Sequence, residues 1–178
     1  GWYPDHQLRL FRRGRGKFPE VHVHEMITVE GRTGYFMNPL EHLNYESISH
    51  FLIKLTNIYT PNEAQVLIKN GYKFNWIDSI RMPTREFINR FFAQKGYRDG
   101  LHGLVLSLLM AFYHLVVFVK IWEKEGFRVT EEKKFLERVE SESKNISKEL
   151  GFWYLTARLE ETKNLLERIK LRLERKFR

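Results

Sequence analysis

Glu25 closes a β-rich run, Val21-His22-Val23-His24, and is the carboxylate best placed to do chemistry. A carboxylate at a strand end beside an imidazole can act as a general base, taking the proton from a hydroxyl as that oxygen attacks an electrophilic carbon. From spacing alone the same residue also reads as a surface glutamate flanking a strand. His22, His24 and Glu25 invite a metal reading as well. In a strand, however, His22 and His24 share one face and Glu25 points to the other, so the three do not easily hold one ion. His42, after the Pro39 turn, would complete a site from another direction; a lone histidine there also serves as a hydrogen-bonded structural residue.

A second constellation is basic. Arg9 and Arg12, with Arg13, Arg15 and Lys17 behind them, suit a diphosphate or an anionic substrate, because guanidinium forks match phosphate oxygens bidentately. The bland counterpart is a solvated loop or a patch facing anionic lipid. The Gly14-Arg15-Gly16 turn is not a Walker loop, and no dinucleotide fingerprint occurs in the chain. Asp99-Gly100, just ahead of a long apolar run, reads first as an N-cap and turn.

These residues need elements to hold them. The chain has 178 residues, 43% of them hydrophobic and 15% aromatic, which is enough for one domain with a core and a helical appendage and is not a disordered composition. Its formal net charge of +8 is concentrated in Arg9–Lys17 and Lys163–Arg178, and suits nucleic acid, anionic headgroups or a phosphorylated small molecule alike. No nucleic-acid recognition motif accompanies it, so no nucleic-acid partner is expected. Cysteine is absent, which removes disulfides, thiolate catalysis and Cys-ligated zinc and is compatible with a reducing cytosol. The chain opens without Met or a signal pattern and is expected to continue upstream.

Residues 1–37 read as short strands and turns, with apolar runs at Leu8–Phe11, Val21–Val23, Met26–Val29 and Tyr35–Met37. From Ser47 the period lengthens: Ile48, Phe51, Leu52, Leu55, Ile58 and Tyr59 predict an amphipathic helix that stops near Thr60-Pro61. A new helix is expected from a Thr60 cap to Asn70-Gly71, and another from Pro83 to Lys95-Gly96. Leu101–Val119 contains no Asp, Glu, Lys or Arg and approaches the roughly 20 apolar residues that cross a bilayer. Its two histidines, serine and glycine favour a buried or membrane-surface helix over a span. Beyond Thr130 the chain is charged and helix-favouring. Leu155, Leu159, Thr162, Leu166, Ile169, Leu173 and Phe177 form a heptad seam that predicts packing on a neighbouring helix or self-association through 155–177, with Gly151-Phe152-Trp153 bending or interrupting the helix.

Taken in order, Tyr3-Pro4-Asp5-x-Gln7-x-Arg9-Leu10-Phe11-Arg12, Val23-His24-Glu25, Gly31-x-x-Gly34 and His42-x-Asn44-Tyr45 carry a family resemblance. Lys54-x-x-x-x-Tyr59 with Glu63-Ala64, Pro83-x-x-x-Phe87 and Gly96-Tyr97-x-Asp99-Gly100-x-x-Gly103 continue it. Over about residues 2–125 the chain resembles the C-terminal half of family-2 (GT-A fold) glycosyltransferases of the lipopolysaccharide-core, heptose glucosyltransferase-like type. That resemblance implies an α/β parent fold, of which this chain is a mixed, mainly helical part: an acceptor-side portion over 1–127, including the apolar helix 101–122, and a helical tail over 128–178.

The resemblance further implies inverting transfer of a sugar (a hexosyl group) from a nucleotide-sugar donor to a lipid-linked or polysaccharide acceptor. Glu25 would be the general base with His24 beside it, and Gln7, Arg9, Arg12 and Asp99 would bind substrate. A divalent metal, Mg2+ or Mn2+, is expected for the complete enzyme, with His42 as a candidate contact. The family's Asp-x-Asp motif does not occur in the chain, so this portion alone is expected to be inactive. The implied location is cytoplasmic, peripheral at the inner face of the cell membrane, on an anionic surface. A non-enzymatic membrane-associating or self-associating helical module is the alternative from a different class.

Overall fold

A computed structural model describes residues 6–18, 27–41, 45–128 and 133–176. Their contacts fall into two compact units, Tyr3–Tyr72 and Lys73–Arg178. The long apolar helix and the charged tail thus share a unit.

In the first unit, β1 (Gly16–Lys17) pairs antiparallel with β2 (Thr28–Val29), in the register Gly16–Val29 and Lys17–Thr28. The turn into β1 is closed by Arg15 N–H donating to the Arg12 carbonyl at 3.0 Å, with Gly14 at φ +79°. The Phe11 ring packs where a β-carbon at Gly16 would sit, so a side chain there would have to displace the ring. The expected strands at Leu8–Phe11 and Tyr35–Met37 are not formed. Tyr35, Phe36 and Met37 stay exposed, and without a partner strand or a buried face an apolar run has nothing to hold it extended.

Helix α1 (Ile48–Lys54) starts at Ser47, whose hydroxyl accepts the His50 N–H at 3.1 Å. The expected stop at Thr60-Pro61 does not occur. A π-helical turn (Leu55–Tyr59) carries the helix directly into α2 (Thr60–Lys69). Proline lacks the N–H and its ring crowds the carbonyl four residues back, and the widened turn accommodates both. Thr60 is therefore a helical residue and not a cap: its buried hydroxyl donates to the Leu55 carbonyl at 2.9 Å. The predicted Asn70-Gly71 stop is observed, with Gly71 at φ +82° and Tyr72 N–H returning to the Leu67 carbonyl.

In the second unit, α3 (Asp78–Ile88) begins five residues before Pro83 and encloses it. Its entry is set by Asn75, which accepts the N–H of Ile77 on its side chain and of Asp78 on its carbonyl. A π-helical turn (Asn89–Ala93) and a 3₁₀ turn (Gly96–Asp99) follow, then α4 (Gly100–Lys124), α5 (Phe135–Glu161) and α6 (Leu165–Lys176). Helices α3 and α4 make the most extensive contact. Ile77, Ile88 and Phe92 are buried from one side of it and Tyr113, Val117, Phe118 and Ile121 from α4.

At its start α4 meets the preceding turn backbone to backbone. A methyl group at Gly103 would overlap the Gly96 carbonyl, and one at Gly96 would lie 2.8 Å from the Arg90 carbonyl and 3.3 Å from Ser107 Oγ. α5 lies along α3 through Trp76–Phe135 ring contact at 4.5 Å, Phe92–Tyr154 at 4.9 Å and a bidentate Arg81–Glu142 pair at 2.6 and 2.7 Å.

Two expectations for the tail are corrected. α5 runs unbroken through Gly151, which is buried. The heptad seam is not continuous: Thr162 is extended (ψ 132°), the chain folds back, and Leu155 and Leu159 pack on Leu171 instead. The reason is local. Asn164 accepts the N–H groups of Leu166 and Glu167 at 2.9 and 3.4 Å, capping a new helix, while Glu167 accepts the Thr162 hydroxyl at 2.9 Å.

Two outcomes follow. Gly103→Ala should destabilise the second unit by about 2 kcal/mol, since the overlap is with backbone and cannot relax cheaply; Leu101→Ala, largely exposed, should change stability by less than about 0.5 kcal/mol in the same denaturant melts. Arg81 holds the Glu142 carboxyl below its ordinary value of 4.5 through their hydrogen bond. A depressed carboxyl stabilises the fold above that value and loses its contribution as pH falls through the lower folded value. Thermal melts of Glu142→Gln should show a shallower loss of stability below about pH 4.5 than the parent chain.

Candidate functional site

Of the residues singled out from sequence, His24, Glu25 and His42 lie outside the described residues. Gln7, Arg9 and Arg12 belong to the first unit and Asp99 to the second. Arg9 and Arg12 are solvent-exposed guanidinium groups on the segment leading into the β1–β2 hairpin, open to an anionic ligand. Arg15 in the same hairpin lies 4.0 Å from Glu30. His6 packs edge-on against Tyr35 at 4.9 Å. Two pieces of the motif pattern meet here: Lys54 lies over the Tyr45 ring, 5.5 Å from its centre.

Asp99 stands at the N-cap position of α4 but makes no side-chain capping bond. The 3₁₀ turn before it leaves its backbone at φ −88°, ψ 10°, away from the extended conformation that aims a cap side chain at the helix N–H groups. Gly100 follows at φ +59°, ψ −135°, a region reserved for glycine.

Around this turn the structure assembles a polar cluster that sequence reasoning missed. Lys95, in the left-handed region at φ 61°, pairs with Glu160 at 2.8 Å. The Tyr97 hydroxyl donates to Glu160 at 3.1 Å, and Arg98 donates to Glu161 at 3.0 Å. Hydrogen bonds from Lys95 and then Tyr97 hold the Glu160 carboxyl below its ordinary value. Burial first, and Glu160 second, push the Tyr97 phenol above 10.0.

Phe92, Lys95, Tyr97, Trp153, Thr156 and Glu160 border a cavity of about 130 Å³. It is small beside the roughly 300–1,000 Å³ of typical ligand pockets. A further pair, Glu86–Arg90 at 2.7 Å with His114 at 3.7 Å from the same carboxylate, joins α3 to α4. Its i,i+4 spacing was a usable signal. Partners separated by 61 to 63 positions, such as Arg81–Glu142 and Tyr97–Glu160, left none. Among the described residues no group of three His, Asp or Glu side chains is arranged to hold a metal ion.

This geometry offers exposed guanidinium groups and a compact ion-pair cluster, and comparison with known proteins adds the rest. No protein-family model matches the chain, and no solved structure matches it. One curated relative is the lipopolysaccharide core biosynthesis glycosyltransferase LpsC of Rhizobium meliloti (strain 1021), 27% identical over 123 residues. The chain is similar to a glycosyltransferase. The match takes in 68% of this chain but 45% of the relative, so the chain spans less than half of that relative's length.

In the cluster, Glu160→Gln should lower the pH at which Tyr97 ionises while leaving it above 10.0, because burial, the larger cause, remains. Resolved tyrosine signals in a carbon-13 NMR titration would read this; an unchanged Tyr97 midpoint would remove Glu160 as its partner.

Proposed function

We propose that the chain is the acceptor-side portion of an inverting glycosyltransferase of the family-2, GT-A type. It would move a hexosyl group from a nucleotide-sugar donor to a lipid-linked or polysaccharide acceptor in lipopolysaccharide or related surface-glycan synthesis. The observation that carries this reading is the similarity to the lipopolysaccharide core glycosyltransferase over 68% of the chain. The ordered motif pieces from Tyr3 to Gly103 agree with it.

In this reading Glu25 takes the proton from the acceptor hydroxyl as its oxygen attacks the anomeric carbon. The bond from that carbon to the nucleotide's phosphate oxygen breaks as the new glycosidic bond forms, which inverts the centre. His24 stands beside the base. Arg9 and Arg12, both exposed, meet the negative charge of the diphosphate or of an anionic acceptor, and Gln7 and, in the other unit, Asp99 are the further substrate-binding candidates. A divalent metal, Mg2+ or Mn2+, belongs to the family's chemistry, but the described residues do not fit one.

The enzyme would work in the cytoplasm at the inner face of the membrane. Helix α4 supports that placement. It is long and apolar enough to cross a bilayer, yet only 28% of its most apolar window is buried. Leu101, Leu108 and Phe112 face outward while Gly103, Ser107, Tyr113 and Val117 face α3 and the turn. An exposed apolar stripe of this kind also favours the second reading, a membrane-associating or self-associating module without catalysis.

Glu25→Gln in the active full-length enzyme should lower kcat by about 10²–10⁴-fold with an unchanged circular dichroism spectrum and melting temperature. Full activity in that variant would remove Glu25 as the base.

A further inference from the structure

Helix α6 presents an apolar face that stays exposed among the described residues. At about 100° per residue, Leu165, Leu166, Ile169 and Leu173 fall within an arc of about 100°, and Leu171 falls opposite. The exposures agree: Leu171 is 1% exposed, packed on Leu155 and Leu159, whereas Leu165 and Leu166 are 71% and 78% exposed, and Ile169 and Leu173 about half.

Charge is distributed around this face unevenly. Arg172 and Arg168 border the arc on one side and Lys170 on the other, and Lys176 falls within it, each within about 60° of its edges. The two acids, Glu167 and Glu174, lie about 130–150° from its centre. Glu167 is engaged away from the face, with Arg158 at 3.0 Å and with Thr162, while Glu174 lies 3.9 Å from the border cation Lys170 in an exposed pair that lipid phosphate would compete for. The outward side of α6 is therefore apolar at its centre and cationic along both borders.

We propose that this face of α6 docks on an anionic lipid leaflet. Its leucines and isoleucine would enter the boundary between headgroups and acyl chains, and Lys170, Arg172 and Lys176 would meet lipid phosphates. A second copy of the chain is the competing occupant, and two features disfavour it. The exposed stripe is confined to a 12-residue helix, short of the three to four heptads that a coiled coil sustains. Pairing two such faces would also bring cationic borders together, with the acids turned away. The inference deepens the peripheral-membrane part of the proposed function and rests on it for its setting, but not on catalysis.

The test is co-sedimentation of the full chain with vesicles of phosphatidylcholine containing phosphatidylglycerol, against phosphatidylcholine alone. The chain should bind the anionic vesicles preferentially, and salt should weaken the binding. Lys170→Gln/Arg172→Gln/Lys176→Gln should reduce partitioning at least roughly tenfold, given the worth of each cation near an anionic surface. Leu166→Ser/Ile169→Ser/Leu173→Ser should reduce it comparably with unchanged helical content, since all three side chains are already exposed. Wild-type binding in both variants would overturn the proposal and leave any membrane contact to another surface. So would a wild-type dimer in light scattering that ignores vesicles and is dissolved by the serine variant, which would assign the face to a second copy. If vesicle binding behaves as expected but Glu25→Gln transfers sugar normally, the catalytic assignment fails and the docking face stands.

Discussion

The second unit depends on one close approach, the Gly96 carbonyl against Gly103 at the start of α4. Neither position tolerates a side chain, and Ser107, one turn further on, lies next to the same turn and keeps its hydroxyl on the Gly103 carbonyl at 2.7 Å. Because backbone meets backbone there, α4 leaves the turn lying along α3. Ile77, Ile88 and Phe92 can then be buried against Tyr113, Val117 and Ile121. Lys95 takes up left-handed backbone to enter this turn, at a local cost that the surrounding packing and its pair with Glu160 offset.

Several residues that carry the family resemblance therefore have structural roles. Gly96 and Gly103 permit contact, Gly100 supplies a backbone conformation open only to glycine, Ala64 is fully buried, and Lys54 rests on Tyr45. A motif pattern can thus mark kinship through packing constraints as readily as through catalytic groups. The catalytic assignment, in contrast, rests on Glu25 and on similarity to a glycosyltransferase that the chain covers by less than half.

Two helices of the second unit share a two-sided character. α4 buries a small-residue and aromatic stripe and exposes Leu101, Leu108 and Phe112; α6 buries Leu171 and exposes leucines bordered by cations. A helix apolar on more than one side has apolar surface left over after packing on its own fold. For α6 the accompanying charge narrows the partner to something anionic. For a transferase whose acceptor carries a lipid, such a surface would keep enzyme and acceptor at the same interface.

Local chemistry was legible in the sequence: the Ser47 cap, the Asn70-Gly71 stop, the helical nature of 101–122 and the charged helices beyond Thr130 all follow from capping, turn residues and period. Heptad spacing alone predicts a continuous seam, but Asn164 accepts the N–H groups of Leu166 and Glu167 and starts a new helix where the chain turns back. Thr60-Pro61 is expected to end one helix and begin the next, and Pro83 to open a helix; instead a π-helical turn carries the chain through Pro61, and α3 begins five residues ahead of Pro83. Short apolar runs near the N-terminus looked like strands, yet a strand exists only with a partner. Most features set by a residue and its near neighbours, such as the Asn70-Gly71 stop, were thus open to reading from residue type and spacing. The tertiary structure alone decided which helices meet, that Glu142 and Glu160 find Arg81, Lys95 and Tyr97, and which apolar faces remain open, because those outcomes depend on contacts between positions some sixty residues apart.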